Sequence, residues 1–308
     1  MEYKHIFGPV PSRRMGISLG VSPIEDNCCS YSCIYCQLGR TRSMKVKPED
    51  FFEVSEIIEE IKEYLKTNKE FDVITIVGEG EPTLYNKLKD LILHIKKLTD
   101  KPIAVITNSS ILTNDEVVQA LNCADLVLPS LDVSNEDDFK KINRPHGQIK
   151  FNEMLESLIN FSKQYKGQLW LETMLVKDFN DDIQKLYDYK NIISKIKYDR
   201  LYINTPVRPP AEEYALEPSD DLVNKACEIL GGISINHLVS KGFYSDIKDD
   251  LEAIKSIIKR HPMNTFEIKS FLNSRNCTDT DNIISSLNKE DSIQRVEYKG
   301  YVTYRLNR

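Results

Sequence analysis

Between residues 70 and 205, short aliphatic and β-branched runs alternate with longer amphipathic stretches. The runs "DVITIV" (72–77), "IAVIT" (103–107), "DLVLPSLDV" (125–133), "LWLETMLV" (169–176) and "DRLYIN" (199–204) predict buried strands. Apolar residues three and four apart predict helices between them. Ile57, Ile58, Ile61 and Leu65 make one stripe, and Leu88, Leu91, Ile92 and Ile95 another. Thr113 followed by Glu116 predicts a capping box that opens a third helix. With a first strand near "GISLGVS" (16–22), the pattern gives six β-then-α units and therefore a parallel sheet. Six such units form either an open doubly wound sheet or an incomplete (β/α) barrel. In both, chemistry is expected at the carboxyl ends of the strands.

The tail has a different rhythm. Residues 247–260, "TFEIKSFL" and "DTDNIISSLNKED" predict three helices, and "IQRVEYKGYVTYRL" (293–306) a hairpin turning at Lys299–Gly300. Three helices and a hairpin predict a small winged helix-turn-helix-like domain. The expected organisation is an α/β domain over 1–245 and this unit over 246–308, with the boundary in "SKGFYS" (240–245). Acids and bases are nearly balanced in the tail, whereas a DNA-reading helix needs clustered Lys or Arg. A docking module or a lid is the better expectation.

The chain has 308 residues and a net charge of −6, so no global basic field draws a polyanion. No apolar run reaches the ~20 residues of a membrane span. The charged start, Met-Glu-Tyr-Lys-His, lacks the apolar core of a secretion signal. A cytoplasmic location is expected, where thiols stay reduced. That makes one stretch conspicuous: "CCSYSCIYC" (28–36) holds four of the seven cysteines.

Cys29, Cys33 and Cys36 form C-x3-C-x2-C, with Cys28 left over. Three thiolates can hold one face of a metal centre but cannot complete a tetrahedral zinc site. A [4Fe–4S] cluster on three cysteines keeps one iron open to a small chelating molecule. Zinc completed by a remote ligand such as His5 is the competing reading. Cys227 and Cys277 stand alone, which indicates no second cluster.

C-x3-C-x-aromatic-C, with Tyr35 as the aromatic, after a first strand and before α/β repeats resembles the radical S-adenosylmethionine (SAM) superfamily. "FGPVPSRRMGISLG" and "CQLGRT" resemble its branch of iron–sulfur oxidoreductases that includes the wyosine-tRNA synthase-like proteins. The resemblance spans roughly residues 5 to 230 and implies a partial (β/α)6 TIM-type barrel. It also implies a [4Fe–4S] cluster on Cys29, Cys33 and Cys36 that chelates SAM. The turn Gly78-Glu79-Gly80-Glu81-Pro82 matches the Gly-Gly-Glu-like turn that meets the SAM amine, a role that falls on Gly80 and Glu81. By the same resemblance Thr107 and Asn108 end the third strand toward SAM, with Ser109 in place of a glycine. Ser130 and Asp132 end the fourth, and Asn204 and Thr205 lie near the adenine. The chemistry implied is reductive cleavage of SAM to a 5′-deoxyadenosyl radical, which abstracts hydrogen from a substrate. The electron comes from an external donor of flavodoxin or ferredoxin type.

The substrate class stays open between a tRNA base, a peptide or protein and a small metabolite. Arg13, Arg14, Arg144, His146, Lys177 and Arg208 are candidate contacts, expected to make an anion pocket if they converge on the barrel mouth. Glu172, in an apolar run, is expected to face inward and pair with one of these arginines. The alternative function is an iron–sulfur redox-sensing transcriptional regulator that uses the winged helix.

Overall fold

The computed structural model describes residues 3–67, 70–235, 243, 245, 247–259, 261–298 and 300–307. The apolar runs become strands, most of them trimmed at one or both ends. Strand β1 (Ile6–Ser12) was not apparent from the pattern; it pairs antiparallel with β2 (Gly16–Val21). Next comes a two-residue parallel pair, β3 (Cys28–Cys29) with β4 (Ser43–Met44). The main sheet continues through β5 (Val73–Ile76), β6 (Ile103–Thr107), β7 (Leu126–Pro129), β8 (Gln168–Met174), β9 (Arg200–Asn204) and β10 (Ile233–Ser234). Its order is β1-β2-β5-β6-β7-β8-β9-β10, with every pairing from β2 onward parallel. The fold is therefore α/β with a mostly parallel sheet.

The connections carry helices α1 (Val54–Leu65), α2 (Leu88–Lys96), α3 (Asp115–Leu121), α4 (Glu136–Ile142), α5 (Phe151–Gln164), α6 (Ile183–Ile193) and α7 (Asp220–Leu230). The α1 stripe buries Ile57, Ile58, Ile61 and Tyr64, with Leu65 only half-buried. Each of its isoleucines contributes about 1.5–3 kcal/mol by leaving water. All four residues of the α2 stripe are buried. Helix α3 corrects the expected capping box: Asn114, not Thr113, is the N-cap, and its side chain accepts from the backbone of Glu116 and Val117. An asparagine one position later competes for the same free N–H groups at least as well as threonine.

The C-terminal unit contains α8 (Asp250–Ile258), β11 (Met263–Asn264), α9 (Thr265–Ser274), α10 (Thr280–Leu287), β12 (Ile293–Tyr298) and β13 (Tyr301–Leu306). The hairpin β12–β13 gains β11 as a third, antiparallel strand. A capping box of Asn264 and Glu267 starts α9. Ile254, Phe271, Leu272 and Tyr304 belong to a core separate from the one around the parallel sheet. Lys299 of the expected turn and most of "SKGFYS" lie outside the described residues. Among the described residues, no helix is long and apolar enough to cross a membrane.

Candidate functional site

The cysteine stretch follows β2 and lies over the carboxyl ends of the parallel strands, pinned from three directions. Cys28 O accepts from Glu81 N at 3.0 Å, after β5. Ile34 N donates to Ile142 O and Ile34 O accepts from Glu212 N, both at 2.9 Å. Ile34 is fully buried, which anchors the loop in the core. An added Cβ at Gly80 would overlap the Cys28 carbonyl oxygen, so this close approach requires glycine.

Cys29, Cys33 and Cys36 act on one another electrostatically. Burial raises the Cys29 pKa most, followed by the charges of Glu81 and Cys36. Burial also holds the Cys33 thiol well above its usual range, followed by Asp132, Cys36 and Cys29. Cys36 N donates to Cys33 O at 3.1 Å, which closes the turn between them. Cys28 faces elsewhere, toward Ser43 and Lys45. Buried thiols surrounded by acids ionise only beside a strong positive centre. Among the described residues, no three His, Cys, Asp or Glu side chains converge on a point where a single metal ion could sit. His5, the remote zinc ligand considered above, packs its ring on Phe52 and faces Glu56. A polynuclear cluster, which spreads its ligands over several irons, fits this donor set.

Two amides approach the sulfurs: Asn108 Nδ2 lies 3.5 Å from Cys29 Sγ and Asn143 Nδ2 lies 3.6 Å from Cys33 Sγ. Such donors tune the potential of a cluster. The sequence reading missed Asn143, although it immediately precedes Arg144, a candidate contact. Asn143 also donates to Asp132 Oδ2 at 2.6 Å, and Tyr35 OH donates to the same oxygen at 2.5 Å. Met174 N donates to Asp132 Oδ1 at 2.8 Å. Burial raises the pKa of Asp132, and these three donors oppose it. Tyr35 thus ties the cysteine loop to the segment after β7.

Glu81 is turned into the protein. Oε1 accepts from Thr83 N at 3.1 Å, Thr83 Oγ1 at 2.5 Å and Thr107 Oγ1 at 2.7 Å, and Oε2 accepts from Asn108 N at 2.7 Å. The carboxylate expected to reach a ligand instead welds the ends of β5 and β6 together. Ser109 has φ +65°, the left-handed conformation that favours glycine. Its Oγ donates to Ser130 O at 3.1 Å, which links the ends of β6 and β7. Asn204 Nδ2 donates to Glu172 Oε1 at 3.3 Å, and Thr205 is buried beside it.

The basic residues do not form one pocket: Arg13 feels the charge of Arg208, and Arg14 that of Arg13, but most of the arginines are held by acids. Arg14 forms an ion pair with Glu172, and burial, then the charge of Arg13, lowers its pKa to about 10. Arg13 donates to Ile235 O at 3.4 Å. Arg144 meets Glu212 at 2.5 Å and Tyr214 OH at 2.6 Å. Arg208 is bidentate to Glu267, at 3.0 and 3.1 Å, in the C-terminal unit. His146 Nδ1 accepts from Gln148 N at 3.3 Å, and Lys177 is exposed. Arg14, Arg144 and Arg208 are each met locally by an acid, because a part-buried guanidinium without a counter-charge is costly.

The profile of the "Radical SAM superfamily" matches residues 27–189. A protein of Brachyspira hyodysenteriae named GTPase Obg is 46% identical over 226 residues, 73% of this chain. The chain spans only 33% of that relative's length. A UPF0026 protein of Methanocaldococcus jannaschii is 33% identical over 315 residues, 98% of this chain and 95% of the relative. The structure of TYW1 with a lysine-pyruvate adduct bound superposes with a TM-score of 0.51 at 18% identity, over 69% of this chain and 72% of that one. That likeness shows the fold alone. Enzymes of the matched superfamily bind a [4Fe–4S] cluster and SAM.

Proposed function

The chain belongs to the radical SAM superfamily, and from that premise we propose that it is an enzyme holding one [4Fe–4S] cluster on Cys29, Cys33 and Cys36. The observation that carries this reading is the loop that holds Cys29, Cys33 and Cys36 together, closed by Cys36 N on Cys33 O and approached by the amides of Asn108 at Cys29 and Asn143 at Cys33, with Cys28 turned away. When bound, the cluster and SAM supply reductive cleavage of a carbon–sulfur bond and abstraction of hydrogen from a substrate. The chain's own residues do the placing. Gly80 lets the turn after β5 close against the cysteine loop, and the internal bonds of Glu81 keep that turn rigid. Thr107, Asn108 and Ser130 line the ends of β6 and β7. Asn204 and Thr205 do the same after β9, and Asn108 and Asn143 direct amide N–H groups at sulfur.

The partial barrel accounts for the six parallel strands from β2 to β9, and we divide the chain near residue 245. The three helices and three-stranded sheet of the tail support a winged-helix-like unit that docks a partner or substrate. Its Arg208–Glu267 contact reaches the segment just after Asn204 and Thr205. The substrate is a tRNA base, a peptide or a metabolite, and the electron donor is a small redox protein.

The test is anaerobic reconstitution with iron and sulfide, followed by dithionite and SAM. About four irons per chain and formation of 5′-deoxyadenosine are expected. A zinc-loaded, iron-free protein that leaves SAM intact would sink the reading.

A further inference from the structure

A cleft of about 400 Å3 lies between the segment leaving Cys36 and the C-terminal unit. Among the described residues its charged lining is basic: Arg40, Arg42, Lys259 and Arg305, with no Asp or Glu. The chain as a whole has the opposite bias, with 47 acids to 41 Lys and Arg, so this concentration is local.

The cations are only partly neutralised. Arg42 meets Asp26 at 2.5 Å, and Lys259 lies 4.0 Å from Glu79. Arg40 meets Glu212 at 2.8 Å, but Arg144 holds the same carboxylate at 2.5 Å, so two guanidiniums share one acid. Arg305 makes no ion pair among the described residues, although the charge of Glu213 reaches it. Its Nε donates to Gln294 Oε1 at 2.9 Å, and its Nη1 donates to the carbonyls of Pro210 at 2.9 Å and Pro209 at 3.3 Å. Those partners are neutral and leave its charge in place. Half-burying a guanidinium with no acid in direct contact carries a desolvation cost, which an anion in the cleft offsets.

Size and the remaining lining narrow the ligand. Small-molecule sites begin at roughly 300 Å3, so the cleft holds more than a bare phosphate. Leu38, Ile258 and Leu306 add apolar surface beside the cations.

We propose that this cleft binds a phosphorylated organic molecule of nucleotide size, with its phosphates toward Arg305 and Arg40 and its apolar part on Leu38, Ile258 and Leu306. Both units build the site, so the ligand bridges the cysteine loop and the C-terminal unit. No group bound to the cysteines enters this argument, and it stands or falls apart from the radical chemistry.

The test is calorimetric titration of the full-length, cluster-loaded protein and of the iron-free protein at low salt. The probes are uridine 5′-diphosphate, whose base differs from that of SAM, inorganic pyrophosphate and uridine. The diphosphate is expected to bind tightest, pyrophosphate more weakly and uridine not measurably. Arg305→Gln should weaken the diphosphate by about tenfold or more, the loss of a charge-assisted contact. Lys163→Gln, on the exposed face of α5, should leave binding unchanged. If Arg305→Gln fails to fold, Arg40→Gln, at a side chain 71% exposed, gives the same reading. The proposal is overturned if the diphosphate does not bind, if pyrophosphate or uridine binds as well as it does, or if the folded arginine variants bind like wild type.

Discussion

Two cores among the described residues bury different things. The larger closes around Glu81 and Asp132, only 2% and 4% exposed, and packs the thiol loop against them. The smaller, built on Ile254, Phe271 and Leu272, buries no carboxylate among the described residues. A buried acid is costly and persists only when its lone pairs are met. Glu81 has four donors and Asp132 three. The polar interior of the first core stands where the site requires rigid, oriented groups, and the second core is an ordinary apolar one.

The sharpest way to break this contrast is at the thiols. Cys29→Ala, Cys33→Ala or Cys36→Ala should each reduce 5′-deoxyadenosine formation to background, read by chromatography alongside iron and sulfide content. Glu81→Ala comes next. It strands four donors in the interior and should cost about 3–5 kcal/mol in urea unfolding. Phe271→Ala should cost about 3–5 kcal/mol in the other core. Hydrogen exchange should then rise within α8–α10 and β11–β13 and stay protected in β5–β7; a global rise would show that the two cores do not unfold separately.

A pH series tests the seam between them. Burial first, then Arg208 and Arg13, hold His261 well below its ordinary pKa. The unfolded chain therefore protonates first as the pH falls below about 6.5. Stability is complete above that pH and declines below it, by up to about 1.4 kcal/mol per pH unit for this one group. His261→Gln should flatten that slope when urea midpoints are compared from pH 7.5 to 5. The smallest effect belongs to Cys28→Ser. It faces away from the other thiols, so iron content should match wild type.

Much of this was legible beforehand. β-branched runs buried on both faces have few alternatives to a parallel sheet, and three cysteines within eight residues stay neighbours in any fold. The α1 and α2 stripes turned inward because helical spacing puts their apolar residues on one side. Other features escaped for physical reasons. Strand β1 holds Gly8, Pro9 and Pro11, poor strand formers that the antiparallel pairing with β2 accommodates at an edge. Asn114 displaced Thr113 because capping is decided by backbone direction at a single residue. Glu81 looked like a ligand residue because its sequence neighbours do not reveal Thr107 and Asn108, about 26 positions on.

The order of residues alone therefore determined the elements, the parallel sheet and the grouping of Cys29, Cys33 and Cys36, all set by short-range periodicity and spacing. Tertiary packing decided which acid meets which arginine, that Glu81 faces inward, that Asn143 reaches Cys33, and that Arg305 is left half-buried with no acid in direct contact among the described residues. Those outcomes depend on side chains 16 to 172 positions apart, and a charged group keeps whichever partner the folded backbone brings within hydrogen-bonding reach.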